Sequence, residues 1–294
     1  MKTVRIAGAL VLVAIFLLFA GCKNRVPPFV DHPRTFAGIA IRDVTFFSAA
    51  LGRDMPYRVY LPSDIKAGTA LSVVYLLHGC GSGYRDWSNY SDVGHYAVGG
   101  FLLVMADGAC SYYMNAALKP EDRYEDYLVQ DLTADVESRF PAAHDRGHRA
   151  IVGVSMGGFA AVKLALSRPD LFALAGAISP AVDVPSRSFS WRRWSQSVRF
   201  RTIFGPAGSD TRVKSDPFVL YKTADPGKTP YLYITAGEQE PLLGPIRRFT
   251  ALLKERGFAY EFHSKPGGHD WGEWDSQVPG CFDSLLAHIQ PVQQ

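Results

Sequence analysis

A buried strand that runs directly into a glycine-flanked serine, and then into a helix, is the feature that most restricts the fold of this chain. Residues 150–154 are apolar or small, and the pentapeptide Gly153-Val154-Ser155-Met156-Gly157 overlaps the end of this run. Glycines on both sides permit a tight turn that leaves the Ser155 hydroxyl exposed beside the amino end of the helix. The pattern predicts a serine nucleophile, the alternative being a glycine-rich turn with an incidental serine.

Further apolar runs alternate with helical segments along the rest of the chain. Strands are predicted over residues 41–48, 57–61, 71–77, 101–105, 150–154, 174–179, 230–236 and 260–264, and helices over 124–140, 159–167, 244–256 and 274–288. This alternation predicts an α/β fold with a mostly parallel, doubly wound sheet, in which ligands bind beyond the carboxyl ends of the strands. Segment 183–228 interrupts the alternation, and we expect it to form a cap or a pocket wall.

A histidine follows the last predicted strand in the motif Gly267-Gly268-His269-Asp270-Trp271. A general base must reach the serine hydroxyl and have a pKa near the working pH, and histidine meets the second requirement. His78 is the main alternative, but it precedes the nucleophile, whereas the order for this kind of serine turn is serine, acid, histidine. His269 is therefore the predicted base, and the other histidines are interpreted as surface or packing residues.

The acid that orients the base is expected after the strand at 230–236. Two carboxylates, Glu238 and Glu240, lie in the loop that follows. Either could hold the imidazole tautomer and stabilise the imidazolium. We favour Glu240, and Glu238 stays open as the alternative. Asp270 is too close to His269 in sequence to turn back easily onto the imidazole.

An oxyanion hole needs two backbone N–H donors beside the nucleophile. The first is expected from Met156, the residue after the serine, and the second from Cys80, in the loop that follows the strand at 71–77. Cys80 would act through its backbone and not through its thiol. The alternative for His78-Gly79 is a plain turn.

Aromatic residues supply the candidates for a substrate pocket. The main candidates are four tryptophans: Trp87, Trp191, Trp194 and Trp271. Two tyrosines and one more tryptophan are further candidates: Tyr112, Tyr113 and Trp274. Such walls suit acyl chains and aryl groups equally. Arginines 192, 193, 199 and 201 could meet an anionic substrate group, although a solvated cap surface is the favoured interpretation.

Four motifs together resemble those of the esterase D / putative esterase family of α/β-hydrolases. They are Tyr75-Leu76-Leu77-His78-Gly79, Gly153-Val154-Ser155-Met156-Gly157-Gly158, Gly237-Glu238-Gln239-Glu240-Pro241-Leu242-Leu243 and the histidine motif above, spread over roughly residues 40–290. The family includes tributyrin esterases, S-formylglutathione hydrolases, feruloyl esterases and antigen 85 mycolyltransferases. The resemblance implies the α/β-hydrolase fold, a triad of Ser155, Glu240 and His269, and oxyanion donors at Cys80 and Met156. The family usually has Asp where this chain has Glu240.

The amino terminus has the pattern of an export signal. A short basic stretch is followed by an apolar run over residues 6–20, which is too short for a comfortable transmembrane helix, and by Phe19-Ala20-Gly21-Cys22. We predict a signal peptide over residues 1–21, a tether over 22–38 and one domain over 39–294. The ending resembles a bacterial lipobox with Cys22 as the lipidated residue, although Phe19 stands where Leu is usual.

These features predict an exported protein, anchored to the membrane as a lipoprotein or otherwise periplasmic or secreted. An ordinary secretory signal or an uncleaved anchor is the alternative to lipidation. The formal net charge of +3 falls to about +1 without Lys2 and Arg5, which is too balanced for a nucleic-acid partner.

Cysteine content bears on both redox state and metal binding. If Cys22 carries lipid, Cys80, Cys110 and Cys281 remain, and this odd number suggests a free thiol or an intermolecular bridge. Cys80 and Cys110 follow strands expected to be neighbours, which motivates the hypothesis of a disulfide at the rim of the site. No cysteine and histidine spacing indicates a metal site, and the predicted chemistry requires no cofactor.

Hydrolysis of small acyl or aryl carboxylic esters is the function that these observations favour. Cytosolic S-formylglutathione is disfavoured as a substrate because the chain is predicted to be exported. One alternative is an acyltransferase like antigen 85, in which an alcohol rather than water takes the acyl group from the enzyme. A surface-anchored binding lipoprotein with an inactive site is the alternative from another class.

Overall fold

The computed structural model describes residues 30–289, and within them an eight-stranded sheet has the order β1-β2-β4-β3-β5-β6-β7-β8. The strands are β1 Ile39–Ser48, β2 Arg53–Pro62, β3 Ser72–Leu77, β4 Phe101–Ala106, β5 Arg149–Val154, β6 Leu174–Ile178, β7 Tyr231–Gly237 and β8 Tyr260–Lys265. The first two strands pair antiparallel, as do β2 and β4, and all other pairs are parallel. The carboxyl ends of β3 to β8 therefore lie at one edge of the sheet.

The central strands are apolar throughout because both faces of the sheet are covered. Every residue of β3, β4, β5 and β6 is buried. Alternate residues of β3 enter different cores: Val73 and Tyr75 belong to one, and Val74 and Leu76 to the other. This continuous burial is what a parallel sheet between two helical layers requires.

Helices cover the two faces. They are α1 Asp86–Tyr90, α2 Tyr124–Asp126, α3 Thr133–Arg139, α4 Met156–Ser167, α5 Trp194–Phe204, α6 Asp210–Ser215, α7 Pro217–Thr223, α8 Leu243–Glu255 and α9 Trp271–His288. Phe159 of α4 lies in the first core, and Val278 of α9 lies in the second. The predicted doubly wound α/β-hydrolase architecture is thus confirmed.

Several boundaries differ from those expected. The helix predicted over 124–140 contains a π-helical stretch, Tyr127–Leu132, between α2 and α3. The closing helix begins at Trp271 and not at 274, because the Asp270 side chain accepts hydrogen bonds from the N–H groups of Gly272 and Glu273. Segment 183–228 folds into α5, α6 and α7 with short 3₁₀ turns before them.

The amino-terminal predictions fall mostly outside the described residues. The signal peptide, Cys22 and the first part of the tether all lie there. The tether predicted to end at residue 38 needs correction, since His32 donates its N–H to Asn89 Oδ1 at 2.5 Å and Arg34 donates its N–H to the Ser88 carbonyl at 2.8 Å. His32 and Arg34, which the prediction placed in the tether, therefore contact the folded domain. Within residues 30–289, no helix is both long and apolar enough to cross a membrane.

Candidate active site

Ser155 lies at the turn between β5 and α4 in a strained backbone conformation. Its φ of 53° and ψ of −108° lie outside the regions that non-glycine residues normally adopt. Hydrogen bonds from β6 and the loop after it hold the conformation: the Ser155 N–H donates to the Ile178 carbonyl at 2.9 Å, and its carbonyl accepts from Ala181 N–H at 3.1 Å. Such strain persists only where neighbouring structure imposes it, and it occurs preferentially at functional sites.

The glycines of the pentapeptide are required by close backbone packing. A Cβ at Gly153 would overlap the backbone of Gly157, and a Cβ at Gly157 would overlap the carbonyl of Leu77 on β3. The spacing G-x-S-x-G therefore reflects two positions where only hydrogen fits. It lets α4 approach the sheet closely enough to present the serine at the strand ends.

Three side chains from three different loops form a hydrogen-bonded series. Ser155 Oγ lies 2.9 Å from His269 Nε2, and His269 Nδ1 lies 2.6 Å from Glu240 Oε2. The Glu240 side chain is fully buried, whereas 30% of the His269 side chain is exposed. The imidazole thus connects a buried carboxylate to a hydroxyl at the surface of a cleft.

The loops after β7 and β8 are joined, and this determines which carboxylate reaches His269. The Gln239 N–H donates to the Gly267 carbonyl at 2.9 Å, and the Gln239 side-chain oxygen accepts from the Gly267 N–H. Glu240 then turns inward to the imidazole. Glu238 is exposed, and its carboxylate accepts a hydrogen bond from the Ser264 hydroxyl at 3.5 Å.

Two neighbours support His269 from the helix that follows it. Asp270 caps α9 and so does not approach the imidazole as an acid would. The Trp274 ring packs edge-on against the His269 ring, with 5.0 Å between centroids. Together they define the position at which the chain leaves β8 and enters α9.

A second carboxyl group, which sequence reasoning missed, is buried near Glu240. Glu273 on α9 is 5% exposed and accepts a hydrogen bond from Gln277 Nε2 at 2.7 Å. Burial raises the pKa of Glu273 above its ordinary value, and the negative charge of Glu240 raises it further. Because Glu273 lies within a helix, the sequence did not indicate that it would approach Glu240 in the loop after β7.

The loop after β3 passes directly beside Ser155. A methyl group added at Gly79 would lie 3.6 Å from Ser155 Cβ. His78 is buried, its Nε2 accepts from the Gly108 N–H at 2.9 Å, and its Nδ1 lies 2.8 Å from the Gly79 carbonyl. Nδ1 therefore carries the proton and donates it to Gly79, and burial lowers the pKa of His78 in keeping with a neutral ring.

This bond orients the peptide group that precedes Cys80. The Gly79 carbonyl and the Cys80 N–H belong to one planar trans unit, so fixing the carbonyl also fixes the direction of the N–H. Met156 is the first residue of α4, where a backbone N–H has no intrahelical acceptor. The two predicted oxyanion donors thus lie on the two chain segments that meet at Ser155.

The loops after β3 and β4 are covalently linked. Cys80 and Cys110 form a disulfide with their Cα atoms 4.5 Å apart, as expected from the adjacency of the two strands. The buried Tyr113 hydroxyl adds a second link by accepting the His78 N–H at 3.1 Å. Cys281 on α9 is a free thiol. It is buried, whereas an intermolecular disulfide would need an exposed sulfur atom.

A cleft of about 360 Å³ opens over Ser155 and His269. Loop residues and the inner side of α5 complete its wall: Cys80, Tyr112, Ala181, Arg187, Arg193, Gln196, Arg199, Phe200, Pro241 and Leu242. Tyr112 was among the expected pocket residues. Gln196, Phe200 and Leu242 were missed, because the sequence did not indicate which side of α5 faces the serine.

The four tryptophans predicted to line the pocket do not line this cleft. Trp87 is fully buried and packs edge-on against Trp271, behind His269. Trp191 and Trp194 stack on each other, 78% and 52% exposed, on the outer side of the cap. Trp87 and Trp271 thus pack behind the site, and Trp191 and Trp194 pack at the surface. The prediction that these four residues line the substrate pocket is therefore wrong. Within residues 30–289, no group of His, Cys, Asp and Glu is arranged to hold a metal ion.

The chain is similar to known proteins over most of its length. The chain matches the family described as "Putative esterase" over residues 48–284. It is 25% identical to the acetyl esterase of Caldicellulosiruptor saccharolyticus, over 83% of this chain and 97% of that protein. It is 26% identical to esterase Rv1288 of Mycobacterium tuberculosis over 84% of this chain, which spans 59% of that protein.

Among solved structures, the fluorophosphonate-binding serine hydrolase F of Staphylococcus aureus superimposes with a TM-score of 0.74 at 25% identity, over 85% of this chain and 99% of that one. The family match covers most of the chain and includes all four motifs of the site. The chain therefore belongs to the Putative esterase family and is a serine esterase of the α/β-hydrolase fold.

Proposed function

We propose that the protein hydrolyses small acyl or aryl carboxylic esters through an acyl-enzyme on Ser155, with His269 as general base and Glu240 as the orienting acid. The observation that carries this proposal is the pair of hydrogen bonds that joins the three side chains, at 2.9 Å and 2.6 Å. Serine and imidazole within hydrogen-bond reach, with a third group orienting the imidazole, is the arrangement that activates a hydroxyl nucleophile.

In the first half of the reaction, Ser155 Oγ attacks the ester carbonyl while its proton passes to His269 Nε2. The N–H groups of Cys80 and Met156 stabilise the oxyanion that develops on the carbonyl oxygen. The imidazolium, stabilised by Glu240, returns its proton to the departing alcohol oxygen as the carbon–oxygen bond breaks. Water then attacks the acyl-enzyme with His269 again as base, which releases the carboxylic acid and restores the serine.

The size of the cleft supports the choice of small esters. About 360 Å³ is at the lower end of the range for small-molecule sites. Tyr112, Phe200 and Leu242 supply the apolar surface for an acyl or aryl group. The cleft is open to solvent, so water can reach the acyl-enzyme for the second half of the reaction.

Labelling with a fluorophosphonate, followed by peptide mapping, tests the nucleophile. We expect one adduct per chain on the peptide that contains Ser155, and none in Ser155→Ala. Absence of labelling in the wild type would favour a binding protein with an inactive site. Turnover of a reactive ester with an alcohol acceptor added then separates hydrolysis from acyl transfer: free acid should dominate, and a dominant transfer product would favour an acyltransferase.

We propose further that the protein is exported and that lipid on Cys22 anchors it to the membrane. The basic and apolar segments before Cys22 support export, and so does the Cys80–Cys110 disulfide, because disulfides persist mainly in oxidising compartments. Mass spectrometry of the mature amino terminus tests the anchor. A diacylglyceryl modification on Cys22 is expected, and a mature chain that begins elsewhere would contradict it.

A further inference from the structure

Arginine side chains dominate the polar part of the cleft over Ser155. Arg187, Arg193 and Arg199 line it, and no Asp or Glu belongs to its lining. Arg187 is neutralised by a two-point ion pair with Asp183, whose shortest contact is 2.8 Å. Two positive charges therefore face the site without a compensating carboxylate in its wall.

Neither of these two guanidinium groups is paired with an acid in the part of the chain that the structure describes. Arg199 Nη1 instead contacts the sulfur atoms of Cys80 and Cys110, at 3.3 Å and 3.2 Å. That contact places its charge beside the loop that carries the proposed oxyanion donor. Arg193 is the N-cap residue of α5.

The distribution of charge argues against an ordinary solvated surface. From Val184 to Ser209 the chain carries five arginines and no acidic residue, in the order Arg187, Arg192, Arg193, Arg199 and Arg201. Solvent-exposed helices usually carry both positive and negative side chains, and oppositely charged residues three or four positions apart stabilise the helix. Here the repulsion among arginines is not relieved within the segment.

The arginines within α5 and just before it differ in whether they line the cleft. Arg193, Gln196, Arg199 and Phe200 recur at three- and four-residue spacing, so they share the face towards Ser155. Arg192 and Arg201 are not part of that wall. The helix and its N-cap residue therefore present two cations and one amide to the cleft, which Phe200 and Tyr112 also line.

We propose that the ester substrate carries a carboxylate, which Arg193 and Arg199 bind while the ester carbonyl lies at Ser155. This rests on the proposed esterase function and names the substrate class for that site. Guanidinium groups match carboxylate geometry with paired N–H donors, and a cleft without acids does not repel the anion. The carboxylate can belong to the acyl or to the alcohol portion, and matched substrates distinguish the two.

Two pairs of esters test the proposal. Mono-4-nitrophenyl adipate and 4-nitrophenyl hexanoate differ by a carboxylate on the acyl side, and 4-acetoxybenzoate and its methyl ester differ by one on the alcohol side. The quantity measured is the ratio of kcat/KM for the charged and neutral member of each pair, after correction for spontaneous hydrolysis. The proteins are the wild type, R193Q/R199Q, R193K/R199K and the matched control R192Q/R201Q, which loses the same charge outside the cleft.

In at least one pair, we expect R193Q/R199Q to lower the charged-to-neutral ratio of kcat/KM about tenfold. The lysine variant should keep part of the ratio, the control should keep all of it, and added salt should reduce it in the wild type because both side chains are exposed. An unchanged ratio in both pairs for R193Q/R199Q, or an equal loss in the control, would overturn the proposal while neutral esters are still hydrolysed. Hydrolysis of no ester at all would instead overturn the proposed function, and this inference with it.

Discussion

The carboxylate of Glu240 lies 2.6 Å from His269 Nδ1, although 29 positions separate the two residues in the chain. Hydrogen bonds between Gln239 and Gly267 bring their loops together at the ends of β7 and β8. The same geometry leaves Glu238 exposed. Two acids in one loop therefore have different expected functions, which a pair of matched substitutions separates.

Glu240→Gln removes the charge that we propose stabilises the imidazolium but keeps the shape of the side chain. We expect kcat to fall by about 10³- to 10⁴-fold, because loss of the equivalent charge in serine proteases has an effect of that order. Glu238→Gln is the matched control and should stay within about twofold of wild type. Steady-state hydrolysis of a neutral 4-nitrophenyl ester measures both. Equal effects of the two substitutions would contradict the assignment of Glu240.

His78 is expected to position the oxyanion donor and not to act as a base. His78→Phe removes the bonds to Gly79 and Gly108 while keeping a ring in the buried site. Because the Cys80 N–H would lose its fixed direction, kcat should fall about 10- to 100-fold with little change in KM. Rates are normalised to the fraction of protein labelled by fluorophosphonate, so that misfolded protein does not contribute. A normalised kcat equal to that of wild type would show that His78 is only a packing residue.

The disulfide between Cys80 and Cys110 closes a loop with a sequence separation of 30 residues. For a loop of that length the chain-entropy model gives about 3–4 kcal/mol of stabilisation. Cys110→Ser should therefore lower the free energy of unfolding by roughly that amount. It should also lower kcat, because the loop after β3, which carries the proposed oxyanion donor Cys80, is no longer linked to the loop after β4.

Chemical denaturation with and without a phosphine reductant checks this prediction. Reductant should destabilise the wild type and leave Cys110→Ser unchanged, since the buried Cys281 forms no bridge. If reductant destabilised both proteins equally, the effect would not come from this disulfide.

Glu273 gives a pH dependence of stability whose direction follows from its raised pKa. In the unfolded chain Glu273 ionises near its ordinary pKa, whereas in the folded protein it ionises at higher pH. Its contribution is therefore fully present below the ordinary pKa of glutamic acid and is lost as pH rises through the folded-state value. Glu273→Gln, which cannot ionise, should raise Tm relative to wild type at pH 8 and have little effect at pH 4. A gain in Tm that is larger at pH 4 would contradict this account.

The sequence predicted the residues whose identity follows from local backbone requirements. Gly153 and Gly157 flank Ser155 because side chains there would overlap neighbouring backbone. This requirement produces the short motif G-x-S-x-G, which can be recognised in the sequence. His269 and Glu240 follow buried strands in a fixed order, so their meeting at one sheet edge follows from topology. The adjacency of Cys80 and Cys110 could be inferred for the same reason.

The cleft wall could not be predicted in the same way. Residues at three- and four-residue spacing share a face of α5, but which face meets Ser155 depends on how the cap packs, and the sequence does not show that. Trp191 and Trp194 face outward, while Arg193 and Arg199 face the site. Glu273 was missed because a buried carboxyl within a helix differs from an exposed one only by tertiary packing.

Hydrolysis of a 4-nitrophenyl ester series by wild type and Ser155→Ala is the most direct test of the account. The series runs from acetate to long acyl chains and includes one aryl ester. We predict turnover by the wild type that is highest for short acyl chains, and loss of at least about 10³-fold in Ser155→Ala, which removes only the proposed nucleophile. Activity in Ser155→Ala close to that of wild type would contradict the central claim, because the ester would then be cleaved without an acyl-enzyme on Ser155.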